Sequence, residues 1–367
     1  MVRARKTTRA YTAKSMRGII LAGGKGSRLR PFTYSGAKQL VPIANIPVLH
    51  FPVRHLVAAG ITEIAMVVGD TRSQVREAMG DGSAFGARFT YIDQDAPLGI
   101  AHAIGLCQEF VGDQPFAVYL GDNVLHHGIE GFVAAFSNGA AAAGVVLKEV
   151  NDPTAFGVAC MEGERLVNVV EKPADPPSNL AVTGVYAFGP AVFSVIAAQS
   201  PSARGELEVA DSINGLIAAG HHVMATVTTD DWIDTGKMDD ILAANRIVLS
   251  GLDPEVSPQA LLDGCSVIGA LTVGPGAVLQ DCRISGPVAL GAGVRLANCT
   301  IGPNVAIGDD CALDHVTVQN AIVMERARLS HCASVVDSMI GRDAVVCGAP
   351  AGARLMLGDH SRFEGPA

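Results

Sequence analysis

No aspartate or glutamate occurs before Glu63, although the 367-residue chain holds 36 acids against 27 lysines and arginines. Eleven of those 27 basic residues lie in the acid-free stretch, which suits an anionic, polyphosphate-like ligand. The net charge of −9 argues against nucleic acid as the main partner. Aromatic residues make up only 5%, while glycines number 41, favouring tight turns and packing of small residues. None of the eight cysteines forms a C-x-x-C pair, and residues 1–15 lack the apolar run of a secretion signal. The thiols are therefore expected to be reduced and the protein cytoplasmic. Residues 176–203 carry no charge, but Pro177, Pro190 and Pro201 rule against a membrane span. No Ser-His-Asp or Cys-His arrangement is arguable.

What is present first is a Gly-rich loop, Leu21-Ala22-Gly23-Gly24-Lys25-Gly26-Ser27-Arg28-Leu29-Arg30-Pro31. It follows the apolar run 18–22, which predicts a buried strand. Three glycines allow a sharp turn and close approach of the backbone to a ligand. Successive N–H groups in such a turn make an anion-binding nest, and Arg28 adds a planar cationic fork suited to phosphate. No Gly-Lys-Ser/Thr closes the loop, so it is not a Walker A motif. Leu29 stands where a dinucleotide fingerprint needs its third glycine.

Strand-like runs at 18–22, 63–69, 88–92, 116–120 and 144–150 alternate with helical patterns such as 48–59 and 99–110. That alternation predicts an open, mainly parallel α/β sheet of Rossmann-like type, with ligands at the carboxyl ends of its strands. Residues 236–249 predict a helix. Beyond Leu262 the pattern changes. Val267, Ile284, Ile301 and Val318 are 17 residues apart, as are Val273, Leu290 and Ile307, and Leu279, Leu296 and Leu313. Three columns with one period predict a left-handed β-helix of hexapeptide repeats. Cys282 and Cys299 share the spacing and are expected near its core. The expected organisation is a disordered extension over 1–15, an α/β domain over 16–250, a linker over 251–262, the β-helix over 263–350 and a tail over 351–367.

The loop, followed by Lys38-Gln39-Leu40-Val41-Pro42 and Asn45-Ile46-Pro47, resembles the N-terminal signature of the sugar-1-phosphate nucleotidyltransferases. The Lys-Gln-Leu version is most similar to the glucose-1-phosphate thymidylyltransferases (dTDP-glucose synthases), where many relatives have Lys-Pro. The resemblance covers about the first 250 residues, and the repeats beyond make the chain similar to the long form of that enzyme. It implies transfer of a deoxythymidylyl group from dTTP to glucose 1-phosphate, with pyrophosphate leaving and Mg²⁺ as cofactor.

Residue by residue, the resemblance implies that Leu21, Gly23, Gly24, Gly26 and Ser27 line the nucleotide, and that Arg28 and Lys38 meet the triphosphate and the developing charge. Gln39, Gln94 and Gly99 would read the base. A glutamine amide offers one donor and one acceptor, matching the edge shared by thymine and uracil and not cytosine. Glu171, Lys172, Gly157 and Tyr186 would hold the sugar phosphate, with Lys172 on the phosphate and Glu171 on a hydroxyl. Asp122 and Asp234 would be the metal ligands; read alone, each serves equally as a helix N-cap. Arg204-Gly205-Glu206-Leu207-Glu208 matches a further family segment, in which Glu208 could face the sugar. His102 reads as helix packing near the base.

Alternatives are UTP or another hexose 1-phosphate, and a bifunctional enzyme whose β-helix transfers acyl groups with His315 or His331 as base. All the chemical motifs end by Gly236. The tail is therefore expected to serve assembly or regulation in a homo-oligomer.

Overall fold

The structure is a computed structural model that describes residues 16–24 and 26–365. The extension expected over 1–15, and Lys25, lie outside the described residues. The chain divides into two compact units: the residues up to Gly24 with Leu49–Trp232, and Lys25–Val48 with the residues from Ile233 onward. The division thus runs through the Gly-rich loop and not through 251–262.

In the first unit the strand Arg17–Ala22 lies at the centre of a sheet. Ile19 and Ile20 are wholly buried, as a parallel strand covered on both faces requires. Glu63–Val68 pairs with it on one side and Phe116–Leu120 on the other, both parallel. Arg88–Asp93 extends the first side in parallel. Beyond Phe116–Leu120 the direction reverses at Leu180–Phe188, which is antiparallel to it and to Ala143–Glu149. Gly157–Glu162 and Arg165–Glu171 form a hairpin at the far edge. Asn214 covers that edge: its carboxamide accepts from Val169 N–H and donates to Val169 C=O, both at 2.8 Å.

The helix expected over 99–110 is two shorter ones, Ile100–Gly105 and Gln108–Val111. The break falls just after Gly105, a residue that weakens a helix interior.

The second unit is a stack of short parallel strands. Val267 pairs with Ile284, Ile284 with Ile301, and Ile301 with Val318; Leu279, Leu296 and Leu313 are likewise in register. This is the curled parallel sheet expected of a left-handed β-helix. One turn is shorter: Ile307 pairs with Val323 and Leu313 with Leu329, before Val323 pairs with Ile340. The coil also reaches further than the repeats indicated. Glu255–Val256 pairs with Leu271–Val273 at one end, and Arg362–Glu364 pairs with Val345–Cys347 at the other. Residues expected as linker and tail are therefore coil strands. The reason is that ladder hydrogen bonds need only extended backbone, so the coil continues where the apolar columns thin out. Cys282 and Cys299 are buried in its core, as expected.

Segment 26–48 packs within this same unit. Asn45 donates its side-chain amide to Ala289 C=O and Ile307 C=O, at 3.3 and 2.9 Å. Ala44 N–H donates to Asn245 Oδ1 on the helix Met238–Ser250, at 2.8 Å.

Candidate active site

The central strand of the first unit is a topological switch point, because its two neighbours continue the chain in opposite directions across the sheet. Ligands on such sheets gather outside the carboxyl ends of the strands at this point. Four predicted residues stand there: Leu21 in the last two residues of the first strand and Gly23 just after it, Gln94 after Arg88–Asp93, and Asp122 two residues after Phe116–Leu120.

The strand ends are tightly joined. Gly121 N–H donates to Leu21 C=O at 2.9 Å. Gln94 N–H donates to Val68 C=O at 2.8 Å. A Cβ at Gly69 would lie 2.8 Å from Gly23 C=O, so Gly69 does not tolerate a side chain. Gly24 is exposed next to them. Asp122 is half-buried and its Oδ1 accepts from Asn123 Nδ2 at 3.1 Å. Asn123 in turn accepts from Trp232 Nε1 at 2.7 Å, which fixes the turn.

Gln94 is held by its amide nitrogen. Nε2 lies 3.3 Å from Gly99 C=O and 3.0 Å from His102 Nδ1. Both amide hydrogens are engaged, so the side chain offers the ligand only its oxygen. The donor-and-acceptor edge expected from the sequence is corrected on this point. Gly99 has φ +105°, and a Cβ there would collide with Leu207 C=O. Only glycine fits, because Ala101 N–H donates to Leu207 C=O and Leu207 N–H to Leu98 C=O, clamping the loop.

A second cluster forms at the hairpin edge. Gly157 and Glu171 are direct register partners, and a Cβ on Gly157 would lie 3.3 Å from Glu171 Oε2. Lys172 has φ +44°, and its Nζ is 3.6 Å from Glu171 Oε1. Arg204 joins this cluster: it bonds Glu171 at 3.1 Å and Glu208 at 2.8 Å. Its guanidinium offsets the carboxylates that crowd the site, a role the sequence signalled only through its charge next to two glutamates. Glu208 is buried and also accepts from Ser202 at 2.7 Å. Tyr186 is 3% exposed and stacks on Phe188, so it sits in the core beneath the cluster. Burial, then the charge of Glu171, pushes its phenol well above the ordinary range.

The second unit carries the remaining predicted residues. Gly26 has φ +62°, and a Cβ there would be 2.7 Å from Lys38 Cβ. Thr33 Oγ1 donates to Gly26 C=O at 2.7 Å, and Ser27–Leu29 forms a short 3-10 turn that leaves Ser27 and Arg28 exposed. Arg28 and Asp234 converge on Gly236. A Cβ at that residue would lie 2.9 Å from an Arg28 nitrogen and 3.3 Å from Asp234 Oδ1. Gln39 is 1% exposed, and its side-chain oxygen has no hydrogen-bond partner. His315 and His331 stack at 5.5 Å on left-handed corner residues, with His315 bonded to Asp314 at 2.8 Å.

Carboxylate oxygens are the donors a hard divalent cation prefers, so Asp122 and Asp234 fit Mg²⁺ by chemistry. Among the described residues no cluster of three or more histidines, cysteines or acids suits a metal. No helix among them is long and apolar enough to cross a membrane.

The nucleotidyl transferase family model matches residues 17–251. The chain is 44% identical to the low-salt glycan biosynthesis nucleotidyltransferase Agl11 of Haloferax volcanii, over 95% of this chain and 100% of that one. It is 42% identical to a glucose-1-phosphate thymidylyltransferase of Streptomyces griseus, over 95% of this chain and 99% of that one. A solved structure from Bacillus anthracis, provisionally assigned as a glucose-1-phosphate thymidylyltransferase and bound to a sucrose, shares 40% identity at a TM-score of 0.61. The match covers 64% of this chain and 95% of that one.

Proposed function

Because this chain belongs to the nucleotidyl transferase family, we propose that it transfers a deoxythymidylyl group from dTTP to glucose 1-phosphate. A phosphate oxygen of the sugar phosphate attacks the α-phosphorus, and the bond to the departing pyrophosphate breaks. The observation that supports the base choice is the Gln94 carboxamide, held through its nitrogen by Gly99 and His102 with its oxygen beside Gly23. Thymine and uracil carry an N3–H that such an oxygen accepts; cytosine does not.

Leu21, Gly23, Gly24, Gly26 and Ser27 bind the nucleotide through backbone and close approach, and Gly99 and Gln39 complete the base side. Arg28 and Lys38 carry the charge that meets the triphosphate and its growing negative charge. Lys172 binds the sugar phosphate, Glu171 a sugar hydroxyl, and Gly157 leaves room for the ring above Tyr186. Asp122 and Asp234 would hold Mg²⁺, which when bound neutralises charge on phosphate oxygens. The eight cysteines, all free thiols, support a cytoplasmic setting, and the long coil supports a homo-oligomer.

Agl11, whose name states neither sugar nor nucleotide, favours a second reading in which UTP or another hexose 1-phosphate is used. A pyrophosphate-release screen against four triphosphates and several hexose 1-phosphates decides between them. The fastest turnover is expected with dTTP and glucose 1-phosphate. Efficient use of ATP or GTP would overturn the base site.

A further inference from the structure

Gly99 C=O can only accept a hydrogen bond. The Gln94 side-chain atom 3.3 Å from it must therefore be the amide nitrogen. That same nitrogen lies 3.0 Å from His102 Nδ1. An amide nitrogen cannot accept, so His102 Nδ1 is the acceptor, and the imidazole proton sits on Nε2. The Gln94 oxygen faces the opposite way, 3.4 Å from where a Cβ on Gly23 would stand.

We propose that His102 is a positioning residue for base selection: it locks the Gln94 carboxamide so that its oxygen, and never its nitrogen, faces the pyrimidine N3. This rests on the nucleotide reading given above. Thymine and uracil present N3–H to that oxygen and bind. Cytosine presents a lone pair at N3, so two acceptors face each other with no proton between them. Gly99 C=O alone holds the amide at a longer distance, so without His102 the carboxamide can turn over and offer its NH₂ to cytosine. His102 sits on the helix Ile100–Gly105, whose first turn is tied to Leu207. Its ring is therefore held by the scaffold and not by the ligand.

The experiment compares kcat/KM for dTTP and CTP, with glucose 1-phosphate, in the wild type, His102→Phe and His102→Gln. Removing one such hydrogen bond is expected to lower the dTTP:CTP ratio about five- to tenfold in His102→Phe. The change should lie in KM, with kcat for dTTP retained. His102→Gln can present its own side-chain oxygen to the Gln94 amide and should restore the ratio. A ratio unchanged in His102→Phe overturns the inference. A wild type that uses CTP as well as dTTP would instead overturn the base reading beneath it. Nitrogen NMR gives a test that does not depend on the folding of a variant. The His102 signals, identified as those missing in His102→Gln, should show Nδ1 unprotonated and Nε2 protonated; the opposite tautomer would sink the proposal.

Discussion

The largest fully buried side chains of the sheet-bearing unit are aromatic: Tyr119, Phe116, Phe136 and Phe188. The buried core of the coil holds no aromatic ring and is made of valine, isoleucine, leucine, alanine and cysteine. The inward columns of the coil pair apolar residues of similar size from one turn to the next, as in Leu279, Leu296 and Leu313, so places in its core recur. In the sheet unit every place is unique. Gly99 meets Leu207, Arg204 meets three glutamates, and Asn214 meets Val169, each once. Chemistry needs such one-off surroundings, and repetition cannot supply them. The exception in the coil's unit is segment 26–48, a non-repeating stretch that carries Arg28, Lys38 and Gln39 and is hooked onto the coil through Asn45.

If Asp122 and Asp234 both serve the metal, damage to either carboxylate should be about equally severe. Asp122→Asn in the first unit and Asp234→Asn in the second are each expected to lower kcat on the order of a hundredfold or more, with folding retained. Steady-state rates at graded Mg²⁺ test this. Near wild-type turnover in one variant would confine the metal to the other unit's carboxylate and break the symmetry.

The contrast between unique and repeated surroundings is sharpened by two glycines. Alanine at Gly99 must adopt φ +105° and push against Leu207 C=O; about 3 kcal/mol of stability and a raised KM for dTTP are expected. Alanine at Gly276 in the coil has φ +71° but nothing within 4 Å. Its cost should be about 1 kcal/mol, with unchanged kinetics. Urea unfolding and KM measurements compare them, and equal losses would mean that the clamp at Leu207 is not what makes Gly99 necessary.

Acid should also separate the units. Burial, then Arg54, lowers His50 to about 4, and burial lowers His55. The folded pKa lies below the unfolded value of 6.5, so the unfolded chain binds more protons as pH falls. The stability is fully present above pH 6.5 and is lost progressively toward pH 4. Trp232, the single tryptophan, belongs to the sheet unit and reports its melting by fluorescence. Tm should fall over that window, and by less in His50→Gln; an identical slope in the variant would remove His50 as the cause.

Much of this arrangement was legible in the residues. The strand at 116–120 and the three columns of 17 follow from periodicity, because burial on a fixed lattice leaves a periodic trace. The shortened turn between Leu313 and Leu329 hid the later coils from a strict count. Asn214 and the grip of His102 on Gln94 left no trace, and Arg204 showed only as a charge within a matching segment, since each contact depends on residues brought together only by the fold. Gln94 itself was found, but half of its hydrogen-bonding capacity is spent on Gly99 and His102, which composition cannot reveal. The expectation that the tail serves assembly rather than catalysis faces the same difficulty. The motifs do end by Gly236, yet the segment bearing Arg28 and Lys38 finds its hydrogen-bond partners at Ala289 and Ile307.

That last point gives the smallest and most specific effect. Asn45 has φ +62°, a left-handed conformation that asparagine tolerates better than most residues. Asn45→Gly keeps the backbone and removes only the two hydrogen bonds, whereas Asn45→Ala also adds backbone strain. Each lost bond is worth about 1 kcal/mol, and the two carbonyls left behind are only part-shielded from water. Asn45→Gly should therefore lower kcat a few-fold by loosening the segment under Arg28 and Lys38, and Asn45→Ala somewhat more. The coil's own stability should hardly change, because its ladder bonds are untouched. Turnover at the wild-type rate in both variants would show that the segment keeps its place without the coil. The tail would then return to the purely architectural role expected from the sequence.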